Sequence, residues 1–324
     1  MTELTYLGAI TRTLAEAMRD DPDVVVVGED VAEGGPWGAT AGLAEEFGAE
    51  RVLNTPISEA AICGVAIGAA QSGLRPVVEI MFIDFVTLAL DQLVNQAAKA
   101  HFMSGGQLTA PLVLRTQGGA GQRGGAQLSQ SLESWLSPVP GLKVAAPSNA
   151  ADAAGLLRTA IEDPNPVVVV ESKALYFRRE DVPDGPLRVP LGRASVVRAG
   201  RDATVVAVST LVPEALAAAE ELASDGIEVE VIDPRTLVPL DLDTIAASLA
   251  RTHRLVVAHE AVRQGGFGAE IAAQVQEACF DELDAPVLRV GAPFTPVPFS
   301  PPLEDAYLPG RAAIAAAVRE ACGR

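Results

Sequence analysis

Short, largely apolar runs rich in valine, separated by alanine-rich stretches, constrain the fold of this chain more than any other feature of its sequence. The runs lie at residues 23–28, 76–82, 111–115, 142–146 and 167–171. They lack strict apolar–polar alternation, which is typical of parallel strands covered by helices on both faces. The stretches predicted to be helical lie at residues 4–19, 58–72, 84–103 and 150–161. The first half of the chain is therefore predicted to be an α/β domain with a doubly wound parallel sheet.

A second α/β pattern follows a segment with the composition of a linker. Residues 180–201 contain prolines at 183, 186 and 190 together with several charged residues, which favours an irregular connection. Strand-like and helical runs then alternate at residues 203–208, 213–223, 227–232, 255–258, 268–279 and 287–290. A chain of 324 residues has room for about two domains. We therefore predict two doubly wound α/β domains, at residues 1–185 and 200–324.

The composition excludes several classes of function. A net charge of −18 argues against binding to a nucleic-acid backbone; it fits plain solubility or an acidic face for a basic partner. No apolar run approaches the roughly 20 residues of a membrane span, and the N-terminal residues lack the pattern of a signal peptide. Cys63, Cys279 and Cys322 are far apart and are predicted to be buried, reduced thiols. These features predict a cytoplasmic protein.

Glu59 directly precedes residues 60–74, a run that contains no charged residue. Local rules make it an acid in the first turn of a helix, stabilised by the helix dipole, with Ser58 as the N-cap and Pro56 fixing the entry. The alternative is a carboxyl group that catalysis requires at this position. The local sequence favours the first interpretation.

Two glycine-rich segments are candidates for contact with a ligand. Residues 117–125 follow a predicted strand, and ligands collect at the carboxyl ends of strands in open parallel sheets. A flexible surface loop is an equally good interpretation. Residues 265–268 precede a helix without a dinucleotide fingerprint, so a tight turn is favoured there. The three histidines show no spacing typical of a metal site.

Several segments, taken together and in order, resemble one known family. They are GED at 28–30, NTPISEAAICGVAIGAAQSGLRPVVEIMFIDF at 54–85, DQLVNQAAKAHFMSGG at 91–106, SQSLESW at 129–135, PGLKVAAPSNAADAAGLLRTAIEDPNPV at 140–167, VIDPRTLVPLD at 231–241, GGFGAEIAA at 265–273 and LEDAYLP at 303–309. The chain resembles the beta subunit of the thiamine-diphosphate-dependent first component of 2-oxoacid dehydrogenase complexes. This family includes the pyruvate, branched-chain and acetoin dehydrogenases.

The resemblance implies a pyrimidine-binding domain for thiamine diphosphate, followed by a transketolase C-terminal-like domain. Glu59 matches the family's cofactor-activating glutamate, whose carboxyl group bonds a ring nitrogen of the aminopyrimidine and thereby promotes loss of the thiazolium proton. Ile57 and Phe85 match residues beside the cofactor. With Ile62, they are expected to form an apolar neighbourhood that raises the pKa of Glu59. The cofactor supplies the carbanion chemistry, and the protein supplies position and electrostatics.

The same resemblance implies a potassium site. Its ligands are Asp163 and Asn165, together with the carbonyl groups of Leu112, Ala160 and Ile161. Oxygen ligands suit a hard cation of this kind. On the sequence alone, Asp163-Pro164-Asn165 is equally well explained as the end of a helix.

The resemblance also implies a partner. The family's motif for the diphosphate and Mg²⁺ is missing here and belongs to the alpha subunit, which implies an α2β2 heterotetramer that delivers acyl groups to a lipoyl acyltransferase core. However, Leu128 stands where the family has a histidine, and leucine can neither donate nor accept a proton. The predicted function is a 2-oxoacid or acetoin dehydrogenase beta subunit. The alternatives are a decarboxylating carboligase that does not acylate lipoyl groups, and a non-catalytic structural subunit.

Overall fold

A computed structural model describes all of residues 1–324, and the chain divides into two units. The first unit comprises Met1–Gly118 and Trp135–Leu191, and the second comprises Gly119–Ser134 and Gly192–Arg324. The sequence assigned residues 119–134 to the first domain, whereas in the structure they group with the second unit. The reason is that their backbone amides bind carboxylates of that unit.

A parallel sheet forms the centre of the first unit. The strands of this unit are β1 (Thr2–Thr5), β2 (Val24–Gly28), β3 (Val52–Asn54), β4 (Arg75–Ile80), β5 (Val113–Gly118), β6 (Lys143–Ala145), β7 (Val167–Ser172) and β8 (Arg179–Val182). Six of them are hydrogen-bonded in the order β6-β7-β5-β4-β2-β3, and all five pairings are parallel. Strands β1 and β8 form a separate antiparallel pair. Every residue of β2, β5 and β7 is buried, as the largely apolar runs predict.

Helices flank this sheet. They are α1 (Tyr6–Asp20), α2 (Leu43–Phe47), α3 (Glu59–Gln71), α4 (Ile83–Val86), α5 (Ala100–Met103), α6 (Glu133–Leu136, which crosses the boundary between the units) and α7 (Ala150–Glu162). The side chains of Thr5 and Asn149 cap α1 and α7 by accepting backbone N–H groups of their first turns. Helices α1 and α7 pack on each other within an apolar cluster of the unit.

The helix predicted at residues 84–103 is confirmed as a continuous helical segment, but its turns are irregular. The segment consists of α4, a 3₁₀ turn at Thr87–Ala89, a π turn at Gln92–Gln96, a second 3₁₀ turn at Ala97–Lys99, and α5. The irregular turns coincide with a close approach of the chain at Gly141, where a Cβ atom would overlap the carbonyl oxygen of Ala98. Because this contact joins residues that are distant in sequence, the composition of the segment does not reveal the irregular turns.

The second unit is also an α/β unit. Its strands are β9 (Ser195–Arg198), β10 (Ala203–Ala207), β11 (Val229–Asp233), β12 (Thr236–Val238), β13 (Leu255–Val262) and β14 (Leu288–Ala292). Its helices are α8 (Leu211–Ser224), α9 (Leu242–Thr252), α10 (Gly268–Ala278), α11 (Pro301–Tyr307) and α12 (Arg311–Ala321). The sheet order is β14-β13-β10-β11-β9, and only the edge strand β9 is antiparallel. Strand β9 lies in the segment that the sequence predicted to be a linker.

Both faces of this second sheet are covered. Val205 on β10 belongs to an apolar cluster with residues of α8 and α12. The neighbouring Thr204 instead hydrogen-bonds Ser248 and Thr252 of α9, each at 2.6 Å. Since successive side chains of a strand point to opposite faces, α9 lies on the face opposite to α8 and α12. The doubly wound arrangement predicted for both halves is confirmed.

Two further predictions concern the helices and the cysteines. None of the helices combines the length and the apolar character that crossing a bilayer requires. All three cysteines are free thiols, and Cys63 and Cys279 are buried. Cys322 is half-exposed instead of buried, since it follows the last turn of α12 near the end of the chain.

Candidate functional site

The carboxyl ends of the parallel strands in the first unit lie at one edge of the sheet, and Glu59 follows one of them. It is the first residue of α3, five residues after the end of β3, and its side chain is half-buried. Glu29 directly follows β2, the neighbour of β3. Burial raises the pKa of Glu29, and the negative charges of Asp30 and Glu59 raise it further. The edge therefore concentrates carboxyl groups beside Glu59.

The entry of α3 differs from the prediction in two respects. Ser58 occupies the N-cap position, but its side chain makes no capping hydrogen bond. The Ile57 side chain is 74% exposed, whereas Ile62 is buried. Although α3 carries no charge after Glu59, it is not buried on all sides, because Val65 is 65% exposed. This chain by itself therefore leaves the Ile57 side of Glu59 open.

Two aromatic rings and a buried lysine lie at the same edge of the sheet. Phe85 on α4 is half-buried and packs edge-to-face on Phe82, with ring centroids 5.7 Å apart. The Nζ atom of Lys173, just after β7, is 5.0 Å from the centre of the Phe82 ring, and this lysine is 1% exposed. A cation over an aromatic face is attracted by the ring electrons. Only Phe85 was predicted; the signal for Lys173 was a lysine directly after a valine-rich strand.

A buried ion network lies within the strands behind this edge. Arg115 on β5 donates two hydrogen bonds to Glu171, at 2.7 and 2.9 Å, and one to Glu79, at 2.7 Å. The hydroxyl group of Tyr176 donates to Glu171. Burial raises the pKa of Glu79, and the charge of Arg115 opposes that rise. The sequence signal for this network was a charged residue inside each of three apolar strands, a pattern that does not by itself reveal which residues pair.

The residues predicted to bind potassium lie at the opposite, amino-terminal edge of the same sheet. Asp163 Oδ2 accepts from Lys143 Nζ at 2.5 Å, and Asp163 Oδ1 accepts from the backbone N–H of Asn165. The Ile161 carbonyl accepts from Arg75 at 2.9 Å. The carbonyls of Ala160 and Leu112 accept backbone N–H groups, from Asp163 and Val167. Each of these oxygen-bearing groups except the Asn165 side chain thus has a partner within the chain.

Leu128 belongs to the second unit, in the glycine-rich loop that follows β5. It is half-buried, and its backbone N–H lies 3.4 Å from the carbonyl oxygen of Gly125. Within residues 120–123, backbone N–H groups donate to two carboxylates of the same unit, the half-buried Glu260 and the buried Glu304, which favours a held loop over a flexible one.

The glycine-rich turn at residues 265–268 accommodates a buried histidine. His259 on β13 is fully buried, and burial lowers its pKa to about 4. A Cβ atom on Gly266 or on Gly268 would lie 2.5 Å from the His259 ring. These glycines are therefore required by packing, which agrees with the predicted tight turn.

Glu133 gives the second unit a titration near neutral pH. Burial, with a smaller contribution from the charge of Glu260, raises the pKa of Glu133 from 4.5 to about 7, against the opposing effect of its own backbone N–H. The folded chain therefore holds more protons than the unfolded chain between these two values. The stabilising contribution of protonated Glu133 is fully present below pH 4.5 and is lost as the pH rises to about 7.

We expect this titration to appear in a comparison with Glu133→Gln. From pH 5 to pH 8, the free energy of unfolding of the wild type should fall relative to the variant by up to about 3 kcal/mol. Urea titrations at several pH values measure it, with Glu277→Gln, at an exposed glutamate of the same unit, as the control. His259 has the opposite sign, since its stabilisation is lost as the pH falls from 6.5 towards 4. The difference in the free energy of unfolding between the wild type and Glu133→Gln therefore isolates the titration of Glu133. If this difference did not depend on pH, the raised pKa of Glu133 would be contradicted.

Comparison with protein families and known proteins gives matches over nearly the whole chain. Residues 2–178 match the family "Transketolase, pyrimidine binding domain", and residues 192–314 match "Transketolase, C-terminal domain". The chain is 48% identical over 314 residues to the acetoin:2,6-dichlorophenolindophenol oxidoreductase subunit beta of Bacillus subtilis, covering 93% of this chain and 92% of that protein. It is 45% identical over 324 residues to the pyruvate dehydrogenase E1 component subunit beta of Rhizobium meliloti, covering 99% and 70%.

Solved structures show the same architecture. A split-gene transketolase, described as an inactive beta4 tetramer, superposes with a TM-score of 0.80 at 26% sequence identity and covers 99% of this chain and 98% of its own. The transketolase of Leishmania mexicana superposes with a TM-score of 0.75 over the whole of this chain and 46% of its own, at 18% identity. The two-domain transketolase-like fold is thereby confirmed.

Proposed function

Because this chain belongs to the family of pyruvate and acetoin dehydrogenase beta subunits, with their transketolase-type pyrimidine-binding and C-terminal domains, we propose that it activates thiamine diphosphate for the oxidation of a 2-oxoacid or of acetoin. The observation that carries the proposal is the position of Glu59. Its half-buried carboxyl group starts a helix at the ligand-binding edge of a parallel sheet, and no group of the chain hydrogen-bonds it.

The residues around Glu59 fit the pyrimidine half of the cofactor. A carboxyl group without a partner within the chain is available to hydrogen-bond a ring nitrogen, while Phe85 and the exposed Ile57 offer apolar surface for the ring. When bound, the cofactor supplies a stabilised carbanion for cleavage next to a carbonyl group. The protein's part is to hold and orient the ring and to exchange a proton at Glu59.

We propose that an alpha subunit completes the site, in an α2β2 heterotetramer. This chain contains no group of three or more His, Cys, Asp or Glu side chains arranged to hold a metal ion, so Mg²⁺ and the diphosphate need ligands from elsewhere. The exposed apolar side chains of Ile57, just before α3, and of Val65, on α3, are consistent with a partner at this surface. The relative described as an inactive beta4 tetramer supports the need for a second kind of subunit.

The isolated chain should therefore bind thiamine diphosphate weakly. In calorimetric titrations with Mg²⁺ present, we expect its affinity to be at least about 100-fold lower than that of the purified complex with the alpha subunit, a difference of about 3 kcal/mol. The complex is then tested for turnover of a panel of 2-oxoacids and acetoin with 2,6-dichlorophenolindophenol as acceptor. Equal affinity of the isolated chain and the complex would contradict the shared site, and no turnover of any substrate would contradict the function.

Acyl transfer to a lipoyl acyltransferase core is the family's usual second step, and Leu128 favours an alternative to it. A leucine at this position cannot transfer a proton, which favours carboligation or transfer to another acceptor. A lipoyl domain offered to the active complex distinguishes the two. Acylation at the rate of cofactor turnover supports the dehydrogenase complex, whereas acylation seen only in Leu128→His supports the alternative.

We propose that potassium, when bound at the amino-terminal edge of the first sheet, is held by carbonyl oxygens. The Asp163 carboxylate is paired with Lys143, but the carbonyls of Leu112 and Ala160 each retain a second lone pair. If potassium binds here, the unfolding temperature of the chain should be higher in KCl than in NaCl at equal ionic strength; identical temperatures would remove this proposal.

We also propose a cytoplasmic location, because three free thiols suit a reducing compartment.

A further inference from the structure

Residues 119–130, hereafter the anchored loop, form a closed loop within the second unit. The N–H of Gly119 donates to the carbonyl of Gln130 at 3.0 Å, so the two ends of the loop meet. Compact surface loops of this length with adjoining ends are frequently functional. Three glycines of the loop and Arg123 have a left-handed backbone, with φ values from 59° to 91°. Such a conformation needs external support at Arg123, which has a Cβ atom.

Glu260 anchors the beginning of the loop. Its Oε1 atom accepts the N–H of Ala120 at 2.5 Å, and its Oε2 atom accepts from the hydroxyl group of Thr210 at 2.8 Å. A Cβ atom on Gly119 would lie 2.8 Å from Glu260 Oε1, so glycine is required for this approach. Both oxygens of Glu260 therefore have a partner, and one of them is the loop backbone.

Glu304 anchors the middle of the loop more extensively. It is fully buried on α11 and accepts the N–H of Gly121 at 3.0 Å and the N–H of Arg123 at 3.3 Å. Arg123 Nη1 also donates to Glu304 at 2.6 Å and to the carbonyl of Pro301 at 3.1 Å. A carboxylate that binds two amides and a guanidinium is a strong, charge-assisted anchor. It supplies the support that the left-handed Arg123 backbone requires.

The anchored residues are directly connected to Leu128. Gly124 follows Arg123, and a Cβ atom on it would lie 3.1 Å from both the Cβ atom and the carbonyl oxygen of Leu128. Gly125 in turn lies against the ring of Phe299 and hydrogen-bonds the Leu128 N–H. Because these backbone segments are in contact, we expect a displacement of Arg123 to displace Leu128.

We propose that Glu304 is a positioning residue for the reaction, which fixes the anchored loop through Gly121 and Arg123 and thereby sets the position of Leu128. The role in the reaction rests on the proposed function, in which Leu128 takes the place of the family's histidine. The anchoring itself does not depend on it. As a consequence, the anchored loop and Leu128 hold their positions before the substrate binds.

The first test measures the loop without any catalysis. Trypsin cleaves after Arg123, and we expect Glu304→Gln in the complex with the alpha subunit to be cleaved there at least about tenfold faster than the wild type. Asp305→Asn is the matched control, because Asp305 contacts the same guanidinium at 2.7 Å but is exposed, where an ion pair contributes little. It should be cleaved within about twofold of the wild-type rate.

The second test measures the reaction. In Glu304→Gln we expect kcat/KM for the substrate to fall about tenfold while the affinity for thiamine diphosphate stays within about twofold. If the effect acts through Leu128, Glu304→Gln should have little additional effect in a Leu128→Ala background. A residue needed only for stability would lower the unfolding temperature and give additive effects in this cycle.

Two results would overturn the proposal, and they differ from failure of the proposed function. Unchanged cleavage after Arg123 in Glu304→Gln overturns the anchoring, and faster cleavage with unchanged kcat/KM overturns the positioning role. If Glu304→Gln does not fold, amide hydrogen exchange of the wild type decides, because Gly121 and Arg123 should exchange at least about tenfold slower than free loop amides. A complex with protected amides but no turnover of any substrate would refute the function alone.

Discussion

Arg115→Met should lower the free energy of unfolding of this chain by about 3 to 5 kcal/mol. The substitution removes the cation that contacts both Glu79 and Glu171, two buried carboxylates. Two carboxyl groups would then remain in an apolar interior without this counter-charge, and each would have to be protonated or hydrated. Urea denaturation of the isolated chain, followed by circular dichroism, measures the loss.

The control for Arg115 is an exposed arginine with similar contacts. Arg188 also donates two hydrogen bonds to one carboxylate, Glu162, but about half of its side chain is exposed. Arg188→Met should change the free energy of unfolding by no more than about 1 kcal/mol. Equal losses in the two variants would show that burial of the network does not determine its contribution.

Glu59→Gln in the complex with the alpha subunit should lower turnover by about 100-fold to 10,000-fold. Glutamine keeps the size of the side chain and can still hydrogen-bond a ring nitrogen, but it cannot exchange a proton with the ring. Thiamine diphosphate should therefore remain bound, and KM should change less than kcat. Steady-state kinetics with 2,6-dichlorophenolindophenol as acceptor measures both constants.

A second glutamate of the same unit provides the control for this experiment. Glu50 is exposed in the turn before β3, away from the start of α3. Glu50→Gln should leave kcat and KM within about twofold of the wild type, because it alters only a solvated charge. If Glu59→Gln behaved like Glu50→Gln, the non-catalytic structural subunit would become the better account of this chain.

The sequence predicted the buried central strands because their signal is local, but it missed the short strands β1, β3, β8, β9 and β12. Valine-rich runs such as those of β2 and β7 have few alternatives to a buried parallel strand. The helices α1 and α7 were also predicted within a few residues, since capping residues and composition mark their ends. The resemblance to a family then supplied the proposed roles of Glu59 and Phe85, which the local sequence could not.

The remaining features depend on contacts distant in sequence. The π turn at Gln92–Gln96 lies near the approach of Gly141, and the anchored loop belongs to the second unit because of Glu260 and Glu304. Nothing near Arg123 in the sequence indicates a carboxylate about 180 positions away. Such contacts become visible only when the fold places the two segments together.

The most direct test of the proposed function is the rate at which the thiazolium carbon of bound thiamine diphosphate exchanges its proton for deuterium. This rate reports cofactor activation without requiring the substrate to be known, and it is measured by NMR after rapid acid quench of the complex. With Glu59 as the activating group, exchange in Glu59→Gln should be at least about 100-fold slower than in the wild type, with the cofactor equally bound. Equal exchange rates in the two complexes would contradict the assignment of Glu59 and, with it, the proposed catalytic role of this chain.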